Sequence, residues 1–287
     1  MTLNALLNSE KVLVMGILNV TPDSFFDGGK YNLLDNALKH AQKMIAQGAD
    51  IIDIGGESTR PGAETVDEKE EAKRIVPVIT RLAKQFKNIV ISVDTYKSSV
   101  AKTAIDSGAA MVNDISGLSF SPSMAKLVSE KNAHVIIMHI KGTPKDMQAV
   151  GPVYKNVVEE INDFFRRKID YAAAAGVKKE KILIDPGIGF GKTTQHNLEI
   201  LRNLKKFSTT GCPIVLGTSR KSFIGKILGT EDKPLPANER LYGSLATYAC
   251  AYSNSIRVLR VHDVKETKQF LRTLETINRA RGEKGST

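Results

Sequence analysis

The 287-residue chain has no tryptophan, and only 6% of its residues are aromatic. Basic runs interleaved with aromatic rings are missing, which removes the stacking platforms that bind single-stranded nucleic acid. Its two cysteines, Cys212 and Cys250, stand far apart and belong to no Cys-x-x-Cys or Cys/His cluster, so neither a disulfide framework nor a zinc site is indicated. No apolar run is long enough to cross a bilayer, and the opening MTLNALLNSE has neither the basic start nor the apolar core of a secretory signal. The expectation is a soluble cytoplasmic protein with no membrane partner. A net charge of +10 could draw nucleic acid, but the basic residues are mixed with acids, as in Asp67–Arg74 (DEKEEAKR), in the manner of solvated helix faces. A general attraction for small anions is what the excess leaves.

What the chain does have is hydrophobic content, 41%, enough for a large core. Short apolar runs alternate with segments of helical period. Strands are expected at Val12–Leu18, Ile51–Ile54, Ile89–Val93, Met111–Val112, His134–Met138, Ile182–Ile184, Pro213–Leu216 and Ile256–Val261. Helices are expected at Leu33–Gln47, Asp67–Lys87, Ser98–Ser107, Met124–Lys131, Val153–Ala175, Asn197–Phe207, Glu239–Ser253 and Val264–Arg281. Strand-helix alternation forces a parallel sheet, and about eight units in one chain of this length favour a closed (β/α)8 TIM barrel. One domain spanning residues 1–287 is expected, with residues 1–10 and 282–287 as frayed ends. The loops after strands 1 and 2, Val20–Asn32 and Glu57–Val66, are long and rich in Gly, Pro, Asp and Arg, and read as mobile covers.

The stretch ILIDPGIGFGKTT (Ile182–Thr194) is the most informative. A buried strand ends on Asp185, followed by Pro186 and glycines at 187, 189 and 191, with Phe190 offering an aromatic face. A P-loop needs glycine where Pro186 stands, and the dinucleotide fingerprint needs glycine where Lys192 stands, so neither phosphate motif is complete. The alternative is that Asp185 merely caps a turn. Polar residues recur at the other strand ends: Asn19, Asp53, Asp94, Asn113 with Asp114, His139, Ser219–Lys221, and Arg260 with His262. A barrel gathers such ends on one rim, where its active site is built. Helix capping is the competing explanation for each Asp, Asn and Ser, and Asp263 with Glu266 reads as a capping box, while Asp53 reads as structural. Capping does not account for Arg220, Lys221, Arg260 or His262.

Nine segments together, MGILNVTPDSF (Met15–Phe25), DIGGESTRPGA (Asp53–Ala63), SVDT (Ser92–Thr95), NDISG (Asn113–Gly117), MHIKGTPKDMQ (Met138–Gln148), DPGIGFGK (Asp185–Lys192), TSRKSFIG (Thr218–Gly225), ERLYGSLA (Glu239–Ala246) and RVHDV (Arg260–Val264), closely resemble the dihydropteroate synthase family. The resemblance runs from Lys11 to about Lys268. It implies an enzyme of folate biosynthesis, a transferase that condenses 6-hydroxymethyl-7,8-dihydropterin pyrophosphate with 4-aminobenzoate, and it implies sulfonamides as competitive inhibitors and a homodimer. By the same resemblance Asp94, Asn113, Met138, Asp185, Gly217 and Lys221 match the pterin-binding positions. Thr59, Arg60, Pro61, Phe190, Lys221 and Ser222 match those around aminobenzoate. Asn19, Thr59, Arg60, Arg260 and His262 match the pyrophosphate positions, with Asn19 a ligand to Mg2+. Lys221, Arg60, Asp185 and Asp94 are the implied catalytic set. Two positions depart from the pattern: Phe26 stands where Ser is usual and Ile140 where Met is usual. A corrinoid methyltransferase using methyltetrahydrofolate shares the barrel and the pterin-binding acids, and an inert pterin-binding barrel is a further alternative; ESTRPG, SRK and RVHDV favour the synthase.

Overall fold

The computed structural model describes residues 3–9, 11–21, 30–59, 62–147, 152–254 and 256–282. Eight parallel strands, β1 (Leu13–Asn19), β2 (Ile51–Gly55), β3 (Val90–Asp94), β4 (Met111–Asp114), β5 (His134–Met138), β6 (Ile182–Asp185), β7 (Val215–Leu216) and β8 (Val258–Val261), pair in the order β6-β5-β4-β3-β2-β1-β8-β7. A single parallel bridge, Ile184 to Ile214, joins the two ends of that sheet and makes it a barrel. The eighth junction is slight because Pro213 has no N–H to give a ladder, though its carbonyl accepts from Ile184 at 3.0 Å. This is also why β7 is two residues long rather than the four the apolar run suggests.

Helices α2 (Lys30–Ala46), α3 (Glu68–Gln85), α4 (Ser98–Asp106), α5 (Met124–Glu130), α6 (Val157–Ala174), α7 (Thr194–Arg202), α8 (Ser222–Leu228), α9 (Leu241–Tyr252) and α10 (Val264–Gly282) follow the strands. The reason is local in α3. Asp67 caps it by accepting from Lys69 N at 2.9 Å, three glutamates occupy its first turn, and Ile75, Val78, Ile79 and Leu82 form one buried face. The apolar segment expected as one helix over 197–207 divides into α7 and a 3-10 turn at Leu204–Thr210.

Side-chain alternation separates two cores. Val14, Leu18, Ile52, Ile54, Val93, Val112, Ile137, Ile184 and Leu259 face outward against the helices. Leu13, Met15, Ile51, Val90, Met111, Ile136, Leu183, Val215 and Val258 face into the barrel at its lower end. A helix the sequence reading left as frayed chain, α1 (Leu3–Leu7), corrects the expectation for residues 3–9: Leu3 and Leu7 are buried in that inner cluster. Asn4 Oδ1 lies 2.6 Å from His134 Nε2, and Leu7 O accepts from Arg257 Nη2 at 2.8 Å. An open barrel bottom would leave apolar strand ends in water, and α1 covers them.

Most of the connection after β1, including Phe26, lies outside the described residues, as do Arg60 and Pro61 in the connection after β2. Ile140 is half-buried just past β5. Among the described residues no helix is long and apolar enough to cross a membrane.

Candidate active site

A period of two along each strand decides what fills the upper half of the barrel. Continuing the inward register from Met15, Ile51, Val90, Met111, Ile136, Leu183, Val215 and Val258 brings Asn19, Asp53, Ser92 with Asp94, Asn113, Met138, Asp185, Gly217 and Arg260 to the interior. His262 continues the β8 series past its end. Of the polar strand ends expected from the sequence, Asn19, Asp53, Asp94, Asn113, Asp185 and Arg260 are therefore inward, whereas Asp114 and His139 fall on the alternate register, Asp114 accepting from Ser116 N and Leu118 N and His139 lying against Lys192.

Arg260 ties this set together. Its Nε donates to Asp53 Oδ2 at 2.6 Å and its Nη2 to Asp94 Oδ2 at 2.6 Å, while Asn113 Nδ2 donates to the same Asp53 oxygen at 2.9 Å. A side chain built at Gly217 would place its Cβ 3.8 Å from both Arg260 Cβ and Asp185 Oδ2, so glycine there keeps the floor between them open. Asp185 Oδ1 accepts from Gly187 N at 2.7 Å, which fixes the carboxylate at the start of the glycine turn. Gly187 has φ 67°, and a Cβ on it would stand 1.9 Å from His139 O; no other residue fits.

Three buried side-chain oxygens of this interior, Asp53 Oδ1, Ser92 Oγ and Asp94 Oδ1, have no partner among the described residues. Buried polar atoms are normally paired, and three together on one inner surface mark where a ligand with matching donors and acceptors belongs. Burial pushes the Asp94 carboxyl up to about 7, with Arg260 pulling the other way and Asp53 adding to the rise. Burial also pushes Asp185 up, against the pull of Lys221.

Lys221 caps α8 and reaches in from the rim. Its ammonium donates to Ile188 O and lies 4.5 Å from the centre of the Phe190 ring. Burial lowers its pKa to about 8; Asp185 and Asp94 favour the charge and Arg260 opposes it. Met138 is buried, Phe190 and Thr59 are half-buried, and Ser222 is exposed at the first position of α8. His262 Nδ1 is 3.0 Å from Ser219 Oγ, which also accepts from His262 N at 3.1 Å.

Three sequence readings change, and the rejection of a phosphate loop at Lys192 holds. Asp53 is more than a strand-end support: it faces the interior and accepts from Arg260 and Asn113, and its inward register with Asp94 and Asn113 is the signal that could have found it. Asp263 does not cap α10 with its side chain; it binds Arg220 with both oxygens, at 2.9 and 2.5 Å. Arg220, at φ 57°, is thereby committed to α10 and its carbonyl accepts from Arg240, so it is a strut of the rim. Lys192 is buried and folded back on its own loop, donating to Phe190 O at 3.0 Å and lying 3.0 Å from His139 Nδ1, so it offers nothing to a phosphate. His139 is held neutral, its pKa pushed down to about 2 by burial and then by Lys192.

The chain is similar to known proteins along nearly its whole length. The model of the pterin-binding enzyme family matches residues 15–262. The dihydropteroate synthase of Bacillus subtilis is 45% identical over 274 residues, 96% of this chain and 91% of that protein. Among solved structures, a dihydropteroate synthase from Clostridium difficile in the presence of pteroic acid superposes with a TM-score of 0.86 at 47% identity, covering 93% of this chain and 97% of that one. The Xanthomonas albilineans dihydropteroate synthase with 4-aminobenzoic acid gives 0.87 at 40% identity and 94% coverage of each. Matched along nearly its whole length, the chain belongs to the dihydropteroate synthase family of pterin-binding enzymes.

Proposed function

We propose that this chain condenses 6-hydroxymethyl-7,8-dihydropterin pyrophosphate with 4-aminobenzoate, giving 7,8-dihydropteroate and pyrophosphate. The observation that carries the reading is the inner surface of Asp53, Ser92 and Asp94 oxygens left without partners, beside Asn113, Asp185 and Lys221. A pterin edge presents ring N–H, amino and carbonyl groups in a plane, and a site with fixed acids and an amide distinguishes it from heterocycles that leave those groups unmet. Asp94, Asn113 and Asp185 take that edge, Met138 and Gly217 pack on the ring, and the Lys221 ammonium lies beside it.

In the reaction the bond between the methylene carbon and the pyrophosphate oxygen breaks, and the oxygen leaves with the electron pair. The pterin ring stabilises the resulting carbon cation, the amine nitrogen of aminobenzoate supplies the pair for the new C–N bond, and the nitrogen then loses a proton to solvent. No covalent enzyme intermediate is required. Phe190, Thr59 and Ser222 are the described residues assigned to the aminobenzoate, Arg60 and Pro61 are assigned to it on family likeness alone, and Lys221 serves both substrates. Asn19, Thr59, Arg60, Arg260 and His262 hold the pyrophosphate. Since carboxylates take the Nε proton and one Nη2 proton of Arg260, its hold on phosphate falls to Nη1 and the remaining Nη2 proton.

Among the described residues no three His, Cys, Asp or Glu side chains gather into a metal cage, and Asn19, half-buried, ends β1 on the inward register with an amide oxygen to offer. One protein oxygen completed by phosphate and water oxygens is a donor set suited to Mg2+, so the residues present fit that ion. When bound, Mg2+ would neutralise charge on the departing pyrophosphate. Sulfonamides, whose ring mimics aminobenzoate, compete for the Phe190 side of the site. A cytoplasmic homodimer completes the reading on family likeness alone.

Mixing the pure protein with the pterin pyrophosphate, Mg2+ and aminobenzoate should release pyrophosphate and dihydropteroate in equal amounts. Binding of pterin with no pyrophosphate released would mean an inert barrel, and methyl transfer from methyltetrahydrofolate to a corrinoid would mean the wrong transferase.

A further inference from the structure

The reaction as described leaves unused a buried cluster at the root of the connection after β2. Lys97, immediately before α4, has a side chain 10% exposed, and its ammonium donates to Glu57 Oε2, to Glu71 Oε2 at 2.6 Å and to Val66 O at 2.6 Å. Glu57 accepts in addition from Val66 N at 2.8 Å and from the Tyr96 hydroxyl at 2.7 Å. Tyr96 in turn packs edge to face on Phe120, with ring centres 5.5 Å apart.

The geometry is that of a clamp. Val66 is gripped at both its N–H and its carbonyl, and Glu57, nine residues earlier, binds the same ammonium, so both ends of the segment from Glu57 to Val66 meet at one atom. Glu71 brings in α3, and Arg74 of that helix donates to Gly56 O at 3.0 Å. Farther along, Gly62 N donates to Pro144 O at 3.3 Å. Burial works against the charge on Lys97, yet its hydrogen bonds to and attraction for Glu57 and Glu71 prevail and its pKa is raised. Two buried acids sharing one cation cannot lose it without leaving uncompensated charge.

We propose that Lys97 is a positioning residue for the synthase reaction: by locking Glu57, Glu71 and Val66 together it sets the register of the connection that carries Thr59 toward the anionic substrates. The Lys97 ammonium is spent on Glu57, Glu71 and Val66 O, none of them in the pterin set, so its effect falls on aminobenzoate use and turnover more than on pterin affinity. The kinetic half of this inference rests on the synthase reading, whereas the clamp itself does not.

The test uses the full chain with Lys97→Met, Lys97→Arg and Tyr96→Phe. In Lys97→Met, hydrogen exchange across the peptides covering residues 57–66 should accelerate at least tenfold while β4 to β6 stay protected. Its KM for aminobenzoate should rise, or kcat fall, at least tenfold, with the Kd of a pterin analogue within twofold of the parent. Lys97→Arg, which can still pair with both acids, should recover at least half of the lost turnover on a logarithmic scale. Tyr96→Phe, which keeps the ring and drops one bond to Glu57, should move the same readouts two- to fivefold. Should Lys97→Met fail to fold, the other two variants decide. Unchanged exchange in the segment overturns the clamp, and loss of pterin affinity in step with turnover overturns the positioning role. Absence of turnover in the parent protein would instead refute the synthase reading, with the exchange measurements still deciding on the clamp.

Discussion

Lys221 is the side chain whose charge the barrel alters to most effect. An ordinary lysine holds its proton to about pH 10.4, whereas burial brings this one to about 8. If the ammonium beside Phe190 and Asp185 assists the reaction, kcat/KM falls as pH rises through about 8. Lys221→Arg, which stays charged throughout, keeps its remaining activity flat from pH 7.5 to 9.5. A fall at the same pH in both proteins would assign that limb to another group. The stability consequence has the opposite sign. A lysine whose folded pKa is depressed binds its proton more weakly folded than unfolded, so the contribution of Lys221 to stability rises with pH between about 8 and the unfolded value, and its deprotonation costs activity without costing stability. The inability of helix capping to explain a residue pointed to the inward Arg260 and the buried ammonium of Lys221, but the same reasoning misled at Arg220, which pairs with Asp263. Asp263 was not: its spacing to Glu266 fits a local cap, and its bonds to Arg220, 43 positions away, leave no mark on neighbouring residues. The Glu57–Lys97–Glu71 cluster was invisible for the same reason, its contacts spanning 40 and 26 positions.

Elements were legible in proportion to how much their own residues determine them. β5, bounded by His134 and Met138, follows from its apolar run alone. β4 extends to Asp114 because Asn113 and Asp114 pair with Ile136 and Ile137 of β5, a register that no composition of the strand reveals. The short α1 was missed because five residues form no stable helix alone; tertiary burial of Leu3 and Leu7 makes it. That origin yields a separation of stability from function, since α1 covers the end of the barrel opposite the polar rim. Leu7→Ala removes a buried side chain and should destabilise by about 2 kcal/mol, the low end for such truncations because a terminal helix can relax. Denaturant unfolding should show the loss, while kcat/KM at 25 °C stays within twofold of the parent. A tenfold loss of kcat/KM with the fold retained would mean that α1 communicates with the site.

On the scale of the whole molecule, every strand bonds to both neighbours and the outer core runs continuously from Val12 to Leu271. Opening the barrel at any point exposes both the inner and the outer layer, so we propose that the chain unfolds as one cooperative unit rather than as separable halves. The polar interior that weakens this unit is the part a pterin would satisfy, so ligand and fold are linked. A pterin analogue at 100 times its Kd should stabilise the folded state by about 2.7 kcal/mol, raising the calorimetric midpoint by about 5 °C for a chain of this size. In Asp185→Asn the Oδ1 acceptor for Gly187 N survives but Oδ2 becomes an NH2 donor facing the ligand. Its midpoint without ligand should stay within about 2 °C of the parent, and the same analogue concentration should raise it by less than half as much. Two transitions that shift independently would refute the single unit, and an undiminished ligand shift in Asp185→Asn would remove Asp185 from the pterin site.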